Sequence, residues 1–496
     1  MESKSAINFS AIPASVNYKD VLKSSSDFVR DSRKVTIIPS SSGAFGPGSQ
    51  TECTIMIDDG GAGAFLHPDS CYVTCDILTT TAVGGSTGTA TANFNSSAND
   101  IIDRVQVRGR RSRVMLADCR DFNVWSALRD KLRYPESYEG NAPWSRGFIN
   151  KIKDGHPAAN TVASFSESYG LASRGAANVA ELGSSATNRR YKIELSYCPF
   201  FANDKVVPLS SAGGLELNLT FARVNDAFVG YQNANQDPVA TTLDYRVTNL
   251  RFHCMISYFS SDFMQRYNSA ILSGGIAIPY ESYIALSHVP QSTNESVRLS
   301  SSLEHLRSVF AVHRLTADLN KITKPSLAHF GNPLLEEIQL QSGGIVQPTT
   351  PLITAVSAGT NVTGQMMEEL QQAAQAIDPH LKGKDLQLQK ESAELKLITA
   401  AKGTEVASET GPKFAEVAGW NGCHIVGLKT DGGSPYSSIY NKTSSTEQSP
   451  ARKSDLMATL KYTGDPSTYT TNFFLYHGNV LHVRPNGMMI PEQLSF

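Results

Sequence analysis

The feature that most constrains the fold of this sequence is a long succession of short β-type segments separated by turn residues. Segments such as Glu52–Asp58, Ser70–Leu78 and Leu215–Arg223 are rich in β-branched or other apolar residues and are bounded by Gly, Pro, Asn or Asp, which is typical of strands. Phe65–Pro68 contains a proline and is interpreted as a turn between two of them. The regular alternation of strands and helices that marks an α/β protein is absent. The pattern therefore predicts an all-β protein.

A few helices and several large loops interrupt the β segments. Apolar residues at helical spacing predict helices over Asp118–Leu132 and Thr363–Ile377, and a shorter one over Asp262–Leu272. Long polar stretches without periodicity predict large surface loops. The predicted loops are Thr79–Asn99, Glu136–Asn188 and Lys382–Pro412.

The length of 496 residues is too great for one hydrophobic core and predicts two to four domains. The β texture of the first half returns in the second without any repeat of sequence, and the junction is predicted near residues 260–275. Each half matches an antiparallel β-sandwich of Greek-key type. The predicted domains are an N-terminal arm (1–34), a first sandwich (35–262) and a second sandwich (263–496).

Charge and composition limit the possible partners. The chain has 44 basic and 46 acidic residues, whereas a protein that wraps nucleic acid usually has a strong positive excess. We therefore expect at most weak contact with a genome or an inner membrane. No apolar stretch approaches the roughly 20 residues of a membrane span, and the polar residues 1–10 predict no secretory signal peptide. Seven cysteines without a C-x-x-C pair argue against a disulfide framework and are interpreted as buried thiols.

Signatures of catalysis are missing from the sequence. It contains no phosphate-binding glycine loop, no G-x-S-x-G nucleophile motif and no histidine or cysteine cluster at metal-ligand spacing. The carboxylate pairs Asp58-Asp59 and Glu336-Glu337 are adjacent, so on a strand they would point to opposite faces. The sequence therefore predicts a protein that is not an enzyme, with no cofactor, no metal and no small-molecule substrate.

One charge cluster is conspicuous, and three interpretations of it stay open. It could be a solvated loop between a strand and a helix, a basic patch facing nucleic acid or an anionic membrane, or a nuclear import signal. No aromatic residue lies between the arginines, so stacking on single-stranded bases is not expected. The arginines are Arg104, Arg108, Arg110, Arg111 and Arg113.

Several segments in succession resemble the double jelly-roll major capsid proteins of double-stranded DNA viruses. Val35–Ile77, with V-T-I-I-P-S-S-S-G-A-F-G-P-G and F-L-H-P-D-S-C-Y-V-T-C-D-I, is similar to the opening of such proteins from polinton-like viruses, adintoviruses and virophages, in the lineage of the adenovirus hexon. The large loops have no counterpart in this resemblance. The further similar segments are Tyr191–Phe228, Leu243–Leu272, Leu306–Arg314, Ile338–Pro348 and the helix Thr363–Ile377.

The resemblance implies two tandem jelly-roll β-sandwiches with a few short helices and large loops. It implies a homotrimer, a pseudo-hexameric capsomer, which tiles an icosahedral shell around a double-stranded DNA genome. Penton and minor capsid or cement proteins would be further partners. The protein would be made in the host cytoplasm, assembled there or in the nucleus, and located in the virion capsid. Trp144, Phe148 and Phe165, in a predicted loop, become candidates for contacts between subunits.

Two alternatives remain at this point. A minor capsid or penton protein, or an RNA-virus coat, would also be a shell protein, but a vertex protein more often has a single jelly roll. A secreted carbohydrate-binding β-sandwich protein would be expected to have a signal peptide, surface aromatic residues or acidic calcium-binding loops. The chain has only 3 tryptophans and no such acidic loop, which disfavours this second alternative.

Overall fold

A computed structural model of the chain describes its β-rich core. The predicted loops Glu136–Asn188 (apart from residues 177–178) and Lys382–Pro412, and with them Trp144, Phe148 and Phe165, lie outside the described residues. The described residues are 29–41, 43–61, 63–82, 90–133, 177–178, 189–232, 242–300, 306–319, 326–327, 330–331, 333–342, 345–356, 361–362, 364–377, 424–430, 456–484 and 489–491.

The described part of the chain consists mainly of strands. Those before residue 260 are β1 (Val29–Ile37), β2 (Glu52–Ile57), β3 (Ala64–Ala82), β4 (Ala90–Phe94), β5 (Ile102–Gly109), β6 (Met115–Cys119), β7 (Ala177–Asn178), β8 (Arg189–Glu194), β9 (Val207–Pro208), β10 (Leu215–Phe221), β11 (Phe228–Gln232) and β12 (Thr242–Phe259). Those after residue 275 are β13 (Ile276–His288), β14 (Asn294–Ser300), β15 (Leu306–Leu315), β16 (Leu335–Ser342), β17 (Ile345–Ile353), β18 (Ala355–Val356), β19 (Asn361–Val362), β20 (Ile425–Lys429), β21 (Leu456–Tyr462), β22 (Tyr469–Val483) and β23 (Met489–Pro491). The α-helices are α1 (Phe122–Arg133), α2 (Leu209–Ala212), α3 (Val224–Ala227), α4 (Ser261–Gly274) and α5 (Gly364–Ile377).

The strands before residue 260 form a sandwich of two antiparallel sheets. One sheet has the order β1-β12-β3-β8, with β9 also paired to β3, and the other has the order β2-β10-β5-β6. When the eight main strands are lettered B to I along the chain, these orders become B-I-D-G and C-H-E-F. Strands that are distant in sequence thus lie side by side, as two Greek keys require.

The strands after residue 275 form a second sandwich with the same topology. Its sheets have the orders β13-β22-β15-β20, with β23 paired to β22, and β14-β21-β16-β17. Lettered in the same way, they are again B-I-D-G and C-H-E-F. The remaining short strands pair as β11-β4-β7 and β18-β19. No described strand of one sandwich pairs with a strand of the other.

Helix α4 connects the two sandwiches. Ser260 precedes it and accepts a hydrogen bond from the Phe263 backbone at 3.4 Å, as an N-cap residue does. Gly275 ends it with φ of 81°, a conformation that favours glycine. The domain boundary predicted at 262/263 falls within this helix, and strand β1 begins at Val29, inside the predicted N-terminal arm.

The structure corrects three local predictions. The predicted loop Thr79–Asn99 is partly strand, because β3 continues to Ala82 and β4 pairs with β11. The helix predicted from Asp118 begins only at Phe122, because the preceding residues form β6. Phe65–Pro68 is not a turn but part of β3.

Proline is tolerated inside β3 because the strand is irregular there. The pairing of β3 with β12 shifts register between His253 and Met255, opposite Pro68. A proline cannot donate a ladder hydrogen bond and is found at such bulges. The Met255 backbone N–H instead donates to the Ser70 hydroxyl at 2.8 Å. The bulge therefore keeps a long strand continuous where the sequence suggests a break.

Candidate functional site: the interface between the two sandwiches

Helix α1 belongs to the first sandwich but reaches into the second. Trp125 is fully buried, and its indole nitrogen donates to the Tyr197 carbonyl at 2.8 Å. Its ring centroid lies 4.7 Å from that of Tyr283, 5.2 Å from Phe474 and 6.0 Å from Phe310, all in the second sandwich. Aromatic pairs at these distances each contribute about 0.5–1.5 kcal/mol beyond their buried area. Trp125 thus forms the centre of the contact between the sandwiches.

The central strands β15 and β22 of the sheet β13-β22-β15-β20 are buried on both faces. On one face, Ala311 and Phe473 belong to the core of the second sandwich itself. On the other face, Phe310 and Phe474 belong to a core that is continuous with the first sandwich. A strand buried on both faces reads as a continuous apolar run. The runs S-V-F-A-V in β15 and N-F-F-L-Y in β22 are of this kind. They indicate burial on both faces, which was not predicted from the sequence.

Helix α5 covers the same outer face next to α1. It packs on β20 at Gly427, where a Cβ atom would lie 2.8 Å from the Leu370 side chain and 3.0 Å from Ala373. Glycine is therefore required for this close approach of helix and strand. Each sandwich has its long helix at the same place in the chain, between strands F and G: α1 follows β6, and α5 follows β17.

Two tyrosines of β13 hydrogen-bond to the edge of the first sandwich. The Tyr280 hydroxyl donates to the Leu116 carbonyl at 2.9 Å, and the Tyr283 hydroxyl donates to the Arg120 carbonyl at 3.0 Å. Both carbonyls lie in or next to β6, which is the outer strand of its sheet. The second sandwich therefore satisfies backbone groups that an isolated first sandwich would leave exposed.

A second polar contact joins the sandwiches through Asn95. Its side-chain oxygen accepts from the Leu327 backbone at 2.9 Å, and its nitrogen donates to the Asp226 carbonyl at 3.2 Å and to the Ser326 hydroxyl at 3.3 Å. Asn95 has no exposed surface. Its amide is thus held by both sandwiches, as buried polar groups need to be.

A buried arginine of β15 faces acidic residues of the first sandwich. Arg314 donates to the Asn472 side chain at 3.1 Å. Burial lowers its pKa, while the charges of Asp226, Asp121 and Asp103 raise it. Burial in turn raises the pKa values of Asp103 and Asp226. The buried Arg314 thus lies in the field of half-buried carboxylates of the first sandwich, and the removal of these carboxylates would leave its charge buried and less compensated.

His313 precedes this arginine and is buried completely. Its Nδ1 atom lies 2.9 Å from the Thr471 hydroxyl, and its ring centroid lies 5.7 Å from that of His424. Burial lowers its pKa to about 3. His313 is therefore neutral in the folded protein at physiological pH.

A cavity of about 780 Å³ opens between the sandwiches. Its wall includes Arg129 and Lys192 from the first sandwich and Glu281 and Arg307 from the second. Glu281 accepts hydrogen bonds from Arg307 and from Tyr476, while burial raises its pKa. Two of the charges of this cavity, those of Glu281 and Arg307, are thus already paired with each other.

The predicted arginine cluster lies on β5 and on the hairpin that joins β5 to β6. The cluster is therefore a strand-to-strand connection and not the strand-to-helix loop of one interpretation, because β6 precedes helix α1. Three of the five arginines are paired with carboxylates. The pairs are Arg104 with Asp118 at 2.6 Å, Arg110 with Asp58 at 2.5 Å and Arg113 with Glu216 at 3.5 Å.

Arg108 and Arg111 have no carboxylate within salt-bridge distance among the described residues. Arg108 lies on β5 opposite Glu216 in the strand register, and Arg111 is exposed in the hairpin. Acidic partners thus reduce the positive charge that the sequence suggests, and these two arginines carry what remains of it.

Comparison with known proteins identifies the fold. No protein-family model and no curated protein matches the sequence. The solved structure of the Faustovirus major capsid protein matches 91% of this chain and 90% of its own, with a TM-score of 0.50 and 8% identity. The fold is a double jelly roll. Both B-I-D-G/C-H-E-F sandwiches are jelly rolls, so the predicted all-β class with two tandem jelly rolls is confirmed.

Further solved structures match over similar spans. The PBCV-1 virus capsid matches 93% of this chain and 96% of its own, with a TM-score of 0.48 and 11% identity. The mavirus major capsid protein matches 99% of this chain and 96% of its own, with a TM-score of 0.47 and 12% identity.

The described residues hold neither a candidate metal site nor a membrane-spanning helix. They contain no group of three or more histidine, cysteine or acidic side chains that could hold a metal ion. None of the helices in this part of the chain is both long enough and apolar enough to span a bilayer. The candidate functional site is the interface between the jelly rolls, because the aromatic and polar contacts described above meet there.

Proposed function

We propose that this chain is the major capsid protein of a double-stranded DNA virus. In this proposal, three copies form a capsomer with six jelly rolls, and capsomers tile an icosahedral shell around the genome. The observation that carries it is the side-by-side packing of two jelly rolls of equal topology through unlike surfaces. The fold, shared with the Faustovirus major capsid protein, supports the same role.

The contact between the two jelly rolls of one chain could be repeated between neighbouring chains of a capsomer. The first jelly roll contributes helix α1 and strand β6, whereas the second contributes the outer face of its B-I-D-G sheet. A contact between unlike surfaces is heterologous, and it closes into a ring when the rotation allows. The matching face of the first jelly roll, on the sheet β1-β12-β3-β8, would then receive the next copy.

The outer face of the sheet β1-β12-β3-β8 carries side chains that are suited to a contact between subunits. Tyr72 and His253 stack at 4.8 Å, and the Thr74 hydroxyl lies 2.8 Å from the His253 ring. Arg251 is exposed, and Ile38, at the end of β1, is 71% exposed. Aromatic residues and arginine are enriched in protein interfaces. In the first jelly roll this face is thus largely open to solvent, apart from the end at Phe65 that helix α4 covers, whereas the matching face of the second is covered.

We expect the double variant Ile38→Glu, Arg251→Glu to weaken trimer formation at least tenfold. Both side chains are exposed, so their replacement adds negative charge to the proposed contact without opening the core. Light scattering during size exclusion, over a range of concentrations, measures the effect. Arg266→Glu, on the exposed side of helix α4, is the matched control and should remain trimeric. A wild-type chain that stays monomeric would contradict the capsomer, and a trimeric double variant would contradict the choice of face.

The remaining parts of the proposal follow from a shell role. The partners would be penton and minor capsid or cement proteins, with assembly in the host nucleus or cytoplasm and final location in the virion capsid. Trp144, Phe148 and Phe165 remain candidates for contacts between subunits. The proposal includes no catalytic activity. Two jelly rolls in one chain favour the major capsid protein over a vertex protein.

We also propose that Arg108 and Arg111 make a weak anion contact, which is one of the three interpretations that the sequence leaves open for the arginine cluster. The double variant Arg108→Gln, Arg111→Gln should reduce retention on immobilised DNA. It should also make binding less dependent on salt, by the contribution of about two phosphate contacts. The matched control Arg30→Gln, Lys34→Gln removes two exposed charges from β1 and should change retention less. Equal retention of both variants would argue against a specific role of the β5–β6 hairpin.

A further inference from the structure

Two cysteines of the first jelly roll lie in direct contact. The Sγ atoms of Cys119 and Cys198 are 3.0 Å apart, and both residues are fully buried. Cys119 ends strand β6, and Cys198 lies between two short 3₁₀ turns after β8. Among the described cysteines, this is the one pair for which a contact between thiols is found.

The surroundings hold these two thiols together. Cys119 is paired with Val105 in the ladder of β5 and β6, and the Cys198 backbone N–H donates to the Leu195 carbonyl at 2.8 Å. A disulfide requires an S–S distance near 2.05 Å, so a movement of about 1 Å would complete the bond. Tyr280 and Tyr283 of the second jelly roll lie over the pair. Their hydroxyls donate hydrogen bonds to backbone carbonyls on either side of Cys119 in the chain.

We propose that Cys119 and Cys198 form a disulfide crosslink while the chain folds, before the second jelly roll covers them. The oxidant is a small disulfide such as oxidised glutathione. One cysteine thiolate attacks it, forms a mixed disulfide and releases one small thiol. The second thiolate then displaces the other small thiol and closes the bond. In sum, the two cysteines lose two protons and two electrons, and the oxidant is reduced to two thiols.

The timing follows from the environment of the pair. Exchange requires the thiolate form, and burial raises the pKa of Cys119 well above its usual range. In the folded protein the Cys119 thiol is therefore protonated, and complete burial keeps both thiols out of reach of the oxidant. An open chain exposes both thiols to the oxidant, so the crosslink forms during folding and is then protected.

The crosslink would close a loop of the chain that contains helix α1. The two cysteines are separated by 79 positions, and closing so long a loop restricts the unfolded chain strongly. Trp125 lies within this loop, so the crosslink would hold the centre of the interface in place. The stabilisation of a virus particle in an oxidising environment by this crosslink rests on the proposed capsid function. The formation of the crosslink does not depend on that function.

The test counts free thiols after folding. The chain is refolded with oxidised glutathione or with dithiothreitol, denatured in N-ethylmaleimide and weighed by mass spectrometry. The chain has seven cysteines, so the reduced sample should carry seven additions and the oxidised sample five, with one peptide linking Cys119 to Cys198. Protein that is first folded in dithiothreitol, freed of it and only then given the same oxidant should still carry seven, because its thiols are already buried.

Variants give the matched comparison. Cys119→Ala should carry six additions in both buffers, and Cys53→Ala, which removes another buried cysteine, should carry four after oxidation. Seven additions to the wild-type chain in both buffers, or a linkage between other cysteines, would overturn the proposal. Because the wild-type chain carries the decisive result, a variant that fails to fold does not affect it. Trimer formation is measured separately, so the crosslink and the capsomer can fail independently.

Discussion

Replacement of Trp125 by alanine is expected to lower the free energy of unfolding by about 3 to 5 kcal/mol, the usual loss for a large aromatic residue in a core. The expectation follows from its complete burial and from its contacts with rings of the second jelly roll. The truncation also leaves the Tyr197 carbonyl without its donor, which adds the cost of an unsatisfied buried group. Urea unfolding at neutral pH, followed by circular dichroism, measures the change.

The position of Trp125 also predicts how the variant unfolds. If the indole couples the two jelly rolls, its loss should separate one cooperative transition into two. Trp125→Phe retains an aromatic ring and should give a smaller loss and one transition. Leu272→Ala, at a side chain that is 71% exposed, is the control and should cost less than about 0.5 kcal/mol. A Trp125→Ala variant as stable as this control would show that the aromatic cluster does not hold the jelly rolls together.

Acid is expected to destabilise the protein through His313. In the unfolded chain a histidine binds a proton below about pH 6.5, whereas burial lowers the pKa of folded His313 to about 3. Between these values the unfolded state binds more protons than the folded state, so stability falls as the pH falls. Each pH unit in this window costs about 1.4 kcal/mol. From pH 7 to pH 5 the contribution of His313 is therefore about 2 kcal/mol.

The effect is isolated by comparing variants at the two pH values. His313→Gln removes the titrating group, so its loss of stability between pH 7 and pH 5 should be smaller than that of the wild type by about 2 kcal/mol. Thr471→Val removes the hydroxyl partner of the ring but keeps the histidine, and should retain the wild-type dependence. An equal loss in wild type and His313→Gln would mean that other groups cause the acid sensitivity.

The β class of the fold was predictable because strands buried on one face leave a clear pattern. In β2, Cys53, Ile55 and Ile57 point into the core while their neighbours are exposed or half-buried, and this alternation is visible in the sequence. The pairing of strands was not predictable in the same way. Strand β1 pairs with β12, more than 200 positions away, and no local pattern encodes such a partner.

The arginine cluster shows that contacts between residues distant in the chain also limit what the sequence predicts about a site. The sequence displays the positive charges together because they are neighbours in the chain. Their partners Asp58 and Glu216 come from β2–β3 and β10 and are brought near only by folding. The interface was missed for a related reason, since no sequence pattern shows that Trp125 and Phe474 belong to one cluster.

The sheet that is buried on both faces has a consequence for the evolution of this chain. Two sandwiches with equal topology suggest interchangeable modules, but the second cannot be separated without uncovering Phe310, Phe474 and their neighbours. Recombination that exchanged one half for that of a distant relative would have to match the indole of Trp125 and the tyrosines of β13 at once. The two jelly rolls are therefore expected to diverge together and not to be exchanged separately by recombination.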